Sequence, residues 1–246
     1  MTSILKTNAI EPEGATTTLT LGNAGQNVVI GAECIKNNVM KDAGGNALFT
    51  SNGSGTLSGV NSAFGSAQVL LSTTTVSTAV SSISFTSGID STYKEYVFDW
   101  INIKSATAGS NWYFQVNTSG QTGYDEPTTS TFFRAYNGES GTNGIGYITT
   151  DDQGNGTDYQ RLIEGGGLES GADASTSGWL ELYNPASTTY VKQYLGRSRQ
   201  MKAGGPWSID NFVSGYFNVT AAITEIDFKF SSGNISGGII KMYGIK

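Results

Sequence analysis

The sequence predicts an all-β chain in two parts. A short, Gly-rich N-terminal β stalk or anchor covers residues 1–65, and an antiparallel, jelly-roll-like β-sandwich covers residues 66–246. Three observations carry this reading. Short runs alternate apolar with polar residues, as Ile226, Phe228 and Phe230 do against Asp227 and Lys229, which is the period of a half-buried strand. Gly and Asn turns punctuate those runs, with 33 glycines in 246 residues, and no helix-period stripe of useful length appears. Aromatic residues reach 11% while charged residues stay at 14%. Disordered chains are poor in aromatics, so this is the composition of a folded, turn-rich β protein.

The first strand lies in "ILKTNAIEPEG", where Pro12 and Gly14 stop it. Residues 14–33, "GATTTLTLGNAGQNVVIGAE", read as two strands around a tight turn: Thr18 to Leu21 alternates, and Val28-Val29-Ile30 follows a Gly-Asn-Ala-Gly break. An isolated hairpin is marginal in water, and this third of the chain has too few apolar residues to offset its backbone entropy. Two arrangements supply the missing core. Either the segment lies flat on the sandwich of its own chain, or identical chains meet with Leu19, Leu21, Val28 and Ile30 on a symmetry axis. The second is preferred, because thin Gly-rich strands pin their register poorly alone. Ile35, Val39, Met40, Leu48, Phe49 and Leu57 anchor the stretch that follows, around turn signals at Gly44-Gly45-Asn46 and Asn52-Gly53. Gly53, Gly55 and Gly59 make the run to residue 65 a hinge or linker.

From residue 67 the strands lengthen and aromatics become dense. The runs are "AQVLLSTTTVS", "SSISFTS", "YKEYVFDWINIK", "NWYFQVNT", "STFFRAYN", "IGYITT", "YQRLIEGG", "GWLELYN", "YVKQYLGRSRQM", "SGYFNVTA", "ITEIDFKFSS" and "GGIIKMYGIK". "EYVFDWINI" is apolar on both faces apart from Glu95, Asp99 and Asn102, which reads as a central strand. About 180 residues suit a jelly roll of roughly eight strands plus extras.

Composition narrows the chemistry. A net charge of −6 disfavours nucleic acid, which needs a basic stripe to release counterions. The single cysteine, Cys34, excludes an intrachain disulfide and a thiolate-rich metal site. The chain has no histidine, which excludes His-based triads, HExxH zinc proteases and two-His-one-carboxylate iron sites. No run of 18 apolar residues appears and "MTSILKTNAI" is too short and mixed for a secretory signal, so no membrane insertion is expected. The chain is read as made in a reducing cytoplasm or as leaving it without the usual export route.

Two stretches carry a resemblance. "TTTLTLGNAGQNVVIGA" with "KDAGGNALFTSNGSGTL" resembles the N-terminal repeat region of bacteriophage fibre and adhesion proteins, particularly those of marine phages. "ITEIDFKFSSGNISGGIIKMYGIK" resembles the closing strands of the jelly-roll module of the same proteins. The resemblance implies a virion structural protein assembled in the host cytoplasm. The chain is read as a tail fibre or spike contacting the host surface, with a capsid or tail decoration or connector protein as the alternative and a polysaccharide depolymerase as a third. The resemblance implies a homotrimer with its N-terminal part joined to other virion proteins and its jelly roll facing outward. It brings no catalytic signature, and no enzyme activity and no cofactor are expected.

"TTDDQGNGTD" gathers Asp151, Asp152, Asn155 and Asp158, but Ile163 stands where an EF-hand places its bidentate Glu, so a solvated turn is preferred to a metal site. "GQTGYDEPTTS" puts Tyr124 and Asp125 in a loop, and "KAGGPWSIDN" does the same for Trp207 and Asp210. Rings beside carboxylates and amides suit a host-surface glycan, and Tyr136 joins them as a further ring. The plainer alternative is that such rings cover the ends of the sandwich. The strand carboxylates Asp99, Glu181 and Asp227 offer material for a glycosidase pair, but nothing in the sequence fixes one.

Overall fold

A computed structural model of the chain describes residues 39–42, 44–51, 54, 57–58, 60, 67–205 and 207–246. The opening hairpin, with Leu19, Leu21, Val28 and Ile30, lies outside the described residues, as does Cys34. The chain divides into two compact units, Met1–Phe64 and Gly65–Lys246.

In the first unit, β1 (Val39–Lys41), β2 (Ala47–Ser51) and β3 (Leu57–Ser58) form an antiparallel sheet in that order. The turn between β1 and β2 is held by one side chain. Asp42 Oδ1 accepts the backbone N–H groups of Gly44 and Asn46, each at 2.8 Å, while Gly45 takes a φ of +84°, a region that glycine enters without steric cost.

The second unit opens with β4 (Gln68–Val76), β5 (Ser82–Phe85), β6 (Glu95–Ser105) and β7 (Trp112–Thr118). Next come β8 (Thr128–Gly138), β9 (Asn143–Tyr147), a 3₁₀ turn at Thr149–Asp151, β10 (Gly154–Gly156) and β11 (Gln160–Arg161). The chain continues through β12 (Thr176–Tyr183), β13 (Lys192–Met201), β14 (Trp207–Phe217), β15 (Ile223–Phe230) and β16 (Ile235–Ile245).

Pairing reveals a rolled-up hairpin. Outermost, β4 pairs with β16; within them β5 pairs with β15, then β6 with β12, and innermost β7 with β11. Rolling this ribbon places β16 against β6 and β15 against β7, giving two sheets that share one core. That is an eight-strand jelly roll. Two insertions widen one sheet only. β8 to β10 are inserted between β7 and β11, and β13 with β14 between β12 and β15. The large sheet therefore runs β10-β8-β14-β13-β12-β6-β16-β4, with β9 also on β8, against a small sheet of β11-β7-β15-β5. β6 lies between β12 and β16, as its two-sided apolar run predicts.

The core is aromatic. Phe98 and Trp100 of β6 face Trp112 and Phe114 of β7 and Phe228 of β15; Trp112 stacks on Phe228 with centroids 5.8 Å apart. Phe114, Tyr194 and Phe217 carry the packing beneath the inserted strands, with Phe114 edge-on to Tyr194 at 5.1 Å. Further along, the inner face of the insertion turns polar. Buried Ser198, Gln200 and Asn211 bond to one another and to the chain at Leu162 to Gly167. Glu164, also buried, is paired with Arg134 and lies 2.6 Å from Lys202 Nζ.

Two strand expectations change. "SGYFNVTA" reads as a strand from residue 214, whereas β14 begins at Trp207. The inward-facing polar Asn211 hides its period, and pairing with both β13 and β8 fixes it. "IGYITT" is strand only as far as Tyr147, and the chain then turns at Thr149–Asp151.

Candidate functional site

Widening one sheet of a roll leaves a broad outer face, and here that face carries two rows of large side chains. On β13, Lys192, Tyr194, Ser198 and Gln200 are buried, so Gln193, Leu195, Arg197, Arg199 and Met201 point outward. Register then aligns residues from neighbouring strands. Trp179 of β12 faces Arg197 of β13, Arg197 faces Phe212 of β14, and Phe212 faces Phe133 of β8. Phe133 and Phe212 stack with centroids 4.6 Å apart and planes 4° apart. Rings on neighbouring strands, themselves about 4.8 Å apart, can stack face to face only by standing up from the sheet. The guanidinium of Arg197 caps the other side of Phe212, 4.8 Å from its centroid.

Local chemistry fixes this row. Asp210 accepts two hydrogen bonds from Arg197, from Nε at 3.0 Å and Nη2 at 2.6 Å, and lies 3.7 Å from Arg199 Nη1. Hydrogen bonding to Asp210 raises the pKa of Arg197, so its charge is fixed. Beneath the row, Gly178 has no room for a side chain, since a Cβ would stand 2.3 Å from the Arg197 carbonyl oxygen and 2.7 Å from the Trp100 ring.

A second row, one place removed on each strand, is low: Glu181 faces Leu195, Leu195 faces Ser214, and Ser214 faces Thr131. Beyond it rise Tyr183, Gln193 and Tyr216. The result is a trough across four strands, seen as two hollows of about 290 and 580 Å³ that share Leu195 and Ser214. At the β12 end, Tyr183 Oη donates to Glu181. Burial first, then Glu181, raises the Tyr183 pKa; burial, then Glu181, also raises that of Glu95.

The five ring and carboxylate candidates fall in three places. Tyr124 sits in the β7–β8 loop with φ of +50°. Its N–H donates to Asn117 Oδ1 at 2.6 Å and its hydroxyl to Glu225 at 3.1 Å. It lies on the outer side of the small sheet, its pKa pushed up to about 12, chiefly by burial. Asp125 is exposed beside it. Tyr136 and Trp207 meet edge-on at 5.8 Å at the far end of β8 and β14. Trp207 and Asp210 are strand residues rather than loop residues, and only Asp210 joins the trough's wall. Sequence reasoning missed Trp179, Phe212, Phe133 and Arg197. Their signal was parity: in "GWLELYN", Trp179, Glu181 and Tyr183 occupy the places opposite Leu180 and Leu182.

The other candidates are separated or committed. Asp99 and Glu181 share the outer face of the large sheet, on adjacent strands. Asp227 belongs to the small sheet, where it accepts from Ser84 Oγ at 2.5 Å and Tyr159 Oη at 2.9 Å. Asp151 is buried and bonded to Arg161 and to the Gly165 N–H, and Asp152 accepts from the Phe132 N–H and Tyr147 Oη. Among the described residues, no three Asp, Glu or Cys side chains gather closely enough to hold a metal ion. Asp151, Asp158, Arg161, Tyr159 and Lys229 line a polar cleft of about 560 Å³; in it Arg161 is paired with Asp151, and Lys229 Nζ lies 3.6 Å from the Tyr159 ring centroid.

In comparison with known proteins, the chain matches no family model, no curated protein and no solved structure.

Proposed function

We propose that the chain is a virion protein of a phage, a tail fibre or spike whose jelly roll adheres to a host-surface glycan without acting on it. The observation that carries this is the preformed trough walled by Trp179, Arg197, Phe212 and Phe133. Aromatic side chains left in water on a rigid face are a binding surface prepared in advance. The resemblance of residues 14–60 and 223–246 to phage fibre proteins supplies the context, and with it a homotrimer joined to other virion proteins through the N-terminal unit. Three copies acting together would convert weak sites into firm attachment.

The test is adsorption of the labelled full chain to a panel of bacterial cells. Labelling is expected, with loss after periodate oxidation of surface sugars and in the Trp179→Ala/Phe133→Ala variant. Absence of labelling across the panel would overturn adhesion and favour a head or tail decoration or connector protein. Release of reducing sugar from the cells would instead indicate a depolymerase, a reading favoured only by Asp99 and Glu181 sharing the face that holds Trp179.

A further inference from the structure

The shape and charge of the trough restrict what can occupy it. Its floor is low, formed by Leu195, Ser214 and Thr131, between the upright row from Trp179 to Phe133 and the row that includes Tyr183 and Tyr216. Four strands at a spacing of about 4.8 Å give it a length of about 14 Å, more than one sugar ring can fill. Its direction is across the strands, because Trp179, Arg197, Phe212 and Phe133 of one wall are in register on neighbouring strands, as are Gln193 and Tyr216 of the other.

Backbone groups cannot contribute. The N–H and C=O groups of β12, β13, β14 and β8 are spent within the sheet, so an extended peptide would find no ladder here as it would at a sheet edge. Side chains remain: hydroxyls of Ser214, Thr131 and Thr129 and the amide of Gln193, set among aromatic rings. Arg197 and Arg199 both meet Asp210, and Arg199 also donates to Ser208 Oγ at 3.1 Å. The second row adds the carboxylate of Glu181, which accepts from Tyr183 Oη, so the two positive and two negative charges of the trough cancel. An anionic ligand would have to compete with Asp210 for the two arginines.

We infer that the trough between the Trp179–Phe133 row and the Tyr183–Tyr216 row binds a linear, uncharged oligosaccharide laid across strands β12, β13, β14 and β8. The apolar faces of its rings lie against the walls, and its hydroxyls meet Ser214, Thr131 and Gln193. This rests on the adhesion reading and specifies its ligand: an internal stretch of a neutral polysaccharide rather than a terminal or acidic sugar.

The experiment is calorimetric titration of the full chain with neutral gluco-, manno- and galacto-oligosaccharides of one to six rings, beside uronate and sulfated series. One neutral series is expected to gain about tenfold in affinity for each ring that reaches a wall, to level off at about three rings, as a length of about 14 Å allows, and to be insensitive to salt. Ser214→Trp fills the floor and should abolish binding with the melting temperature unchanged. Ser214→Ala leaves the floor open and removes one hydroxyl contact, so it should weaken binding by at most about tenfold. Equal affinity for one ring and four, or binding of the acidic series alone, would overturn the inference. Cell labelling without binding of any neutral series would overturn it while leaving adhesion intact, and failure of both would remove both. If Ser214→Trp instead dissociated an assembly in light scattering, the occupant would be a second copy of the chain and the inference would fall.

Discussion

Phe133 on β8 and Phe212 on β14 are register partners whose rings lie 4.6 Å apart and nearly parallel. Such pairs contribute about 0.5–1.5 kcal/mol beyond the area they bury. A double-mutant cycle of Phe133→Leu and Phe212→Leu, read by urea unfolding, should return a coupling in that range. Phe212→Leu should cost more than Phe133→Leu, because Phe212 also carries the Arg197 guanidinium. Strict additivity would mean that the two rings do not support each other.

Glu164 is buried between Arg134 and Lys202. Burial, then Arg134, lowers the Lys202 pKa, and Asp151 raises it. Glu164 lies against both cations and is the carboxylate they share. Glu164→Ala should therefore destabilise the jelly roll by about 3 kcal/mol, seen as an earlier urea midpoint with an unchanged slope. A loss below about 1 kcal/mol would place the group in a far wetter setting.

Several tyrosines make stability sensitive to alkali. Burial, reinforced by nearby carboxylates, raises the phenols of Tyr124, Tyr159 and Tyr183, and burial alone raises that of Tyr194. A raised phenol favours the neutral form in the folded state, while an unfolded tyrosine ionises near pH 10. The folded state thus binds more protons above that point, and stability must fall as pH rises. For Tyr124 the window runs from about 10 to about 12. Tyr124→Phe should make the decline shallower through that window and cost about 1 kcal/mol at pH 7, where its hydrogen bond to Glu225 is lost.

Assembly gives a further test. If identical chains share a core built from Leu19, Leu21, Val28 and Ile30, the full chain should run as a trimer in light scattering. A protein starting at Ala67 should lose that state or hold it more weakly. A monomeric full chain would remove the shared-core proposal.

Much of the sandwich was legible because its signals are local. "EYVFDWINI" declares a strand buried on both sides, and Ile226, Phe228 and Phe230 declare one face of β15. The inserted strands were harder to read. Ser198, Gln200 and Asn211 point inward while polar, because a hydrogen-bonded layer replaces apolar packing beneath them, and this erases the alternation that marks a strand. Parity marks Trp179 as outward-facing, but the trough itself was not legible. Trp179, Arg197, Phe212 and Phe133 come from four strands spread over 80 residues, and only register shows that they stand in one line. Loops attracted attention as the usual home of binding groups, but here the sheet was widened instead, and the width itself makes the surface.

The pairing of the first strand with the last has a practical consequence. Gln68 is the register partner of Ile245, and the Lys246 N–H donates to the Ala67 carbonyl at 2.9 Å. Entry and exit of the roll are thus one hydrogen bond apart, so the unit behaves as a cassette. It could be spliced into a surface turn of an unrelated scaffold, or its ends joined by a short linker and new ones opened in the exposed turn at Ser140 and Gly141, with every ladder intact.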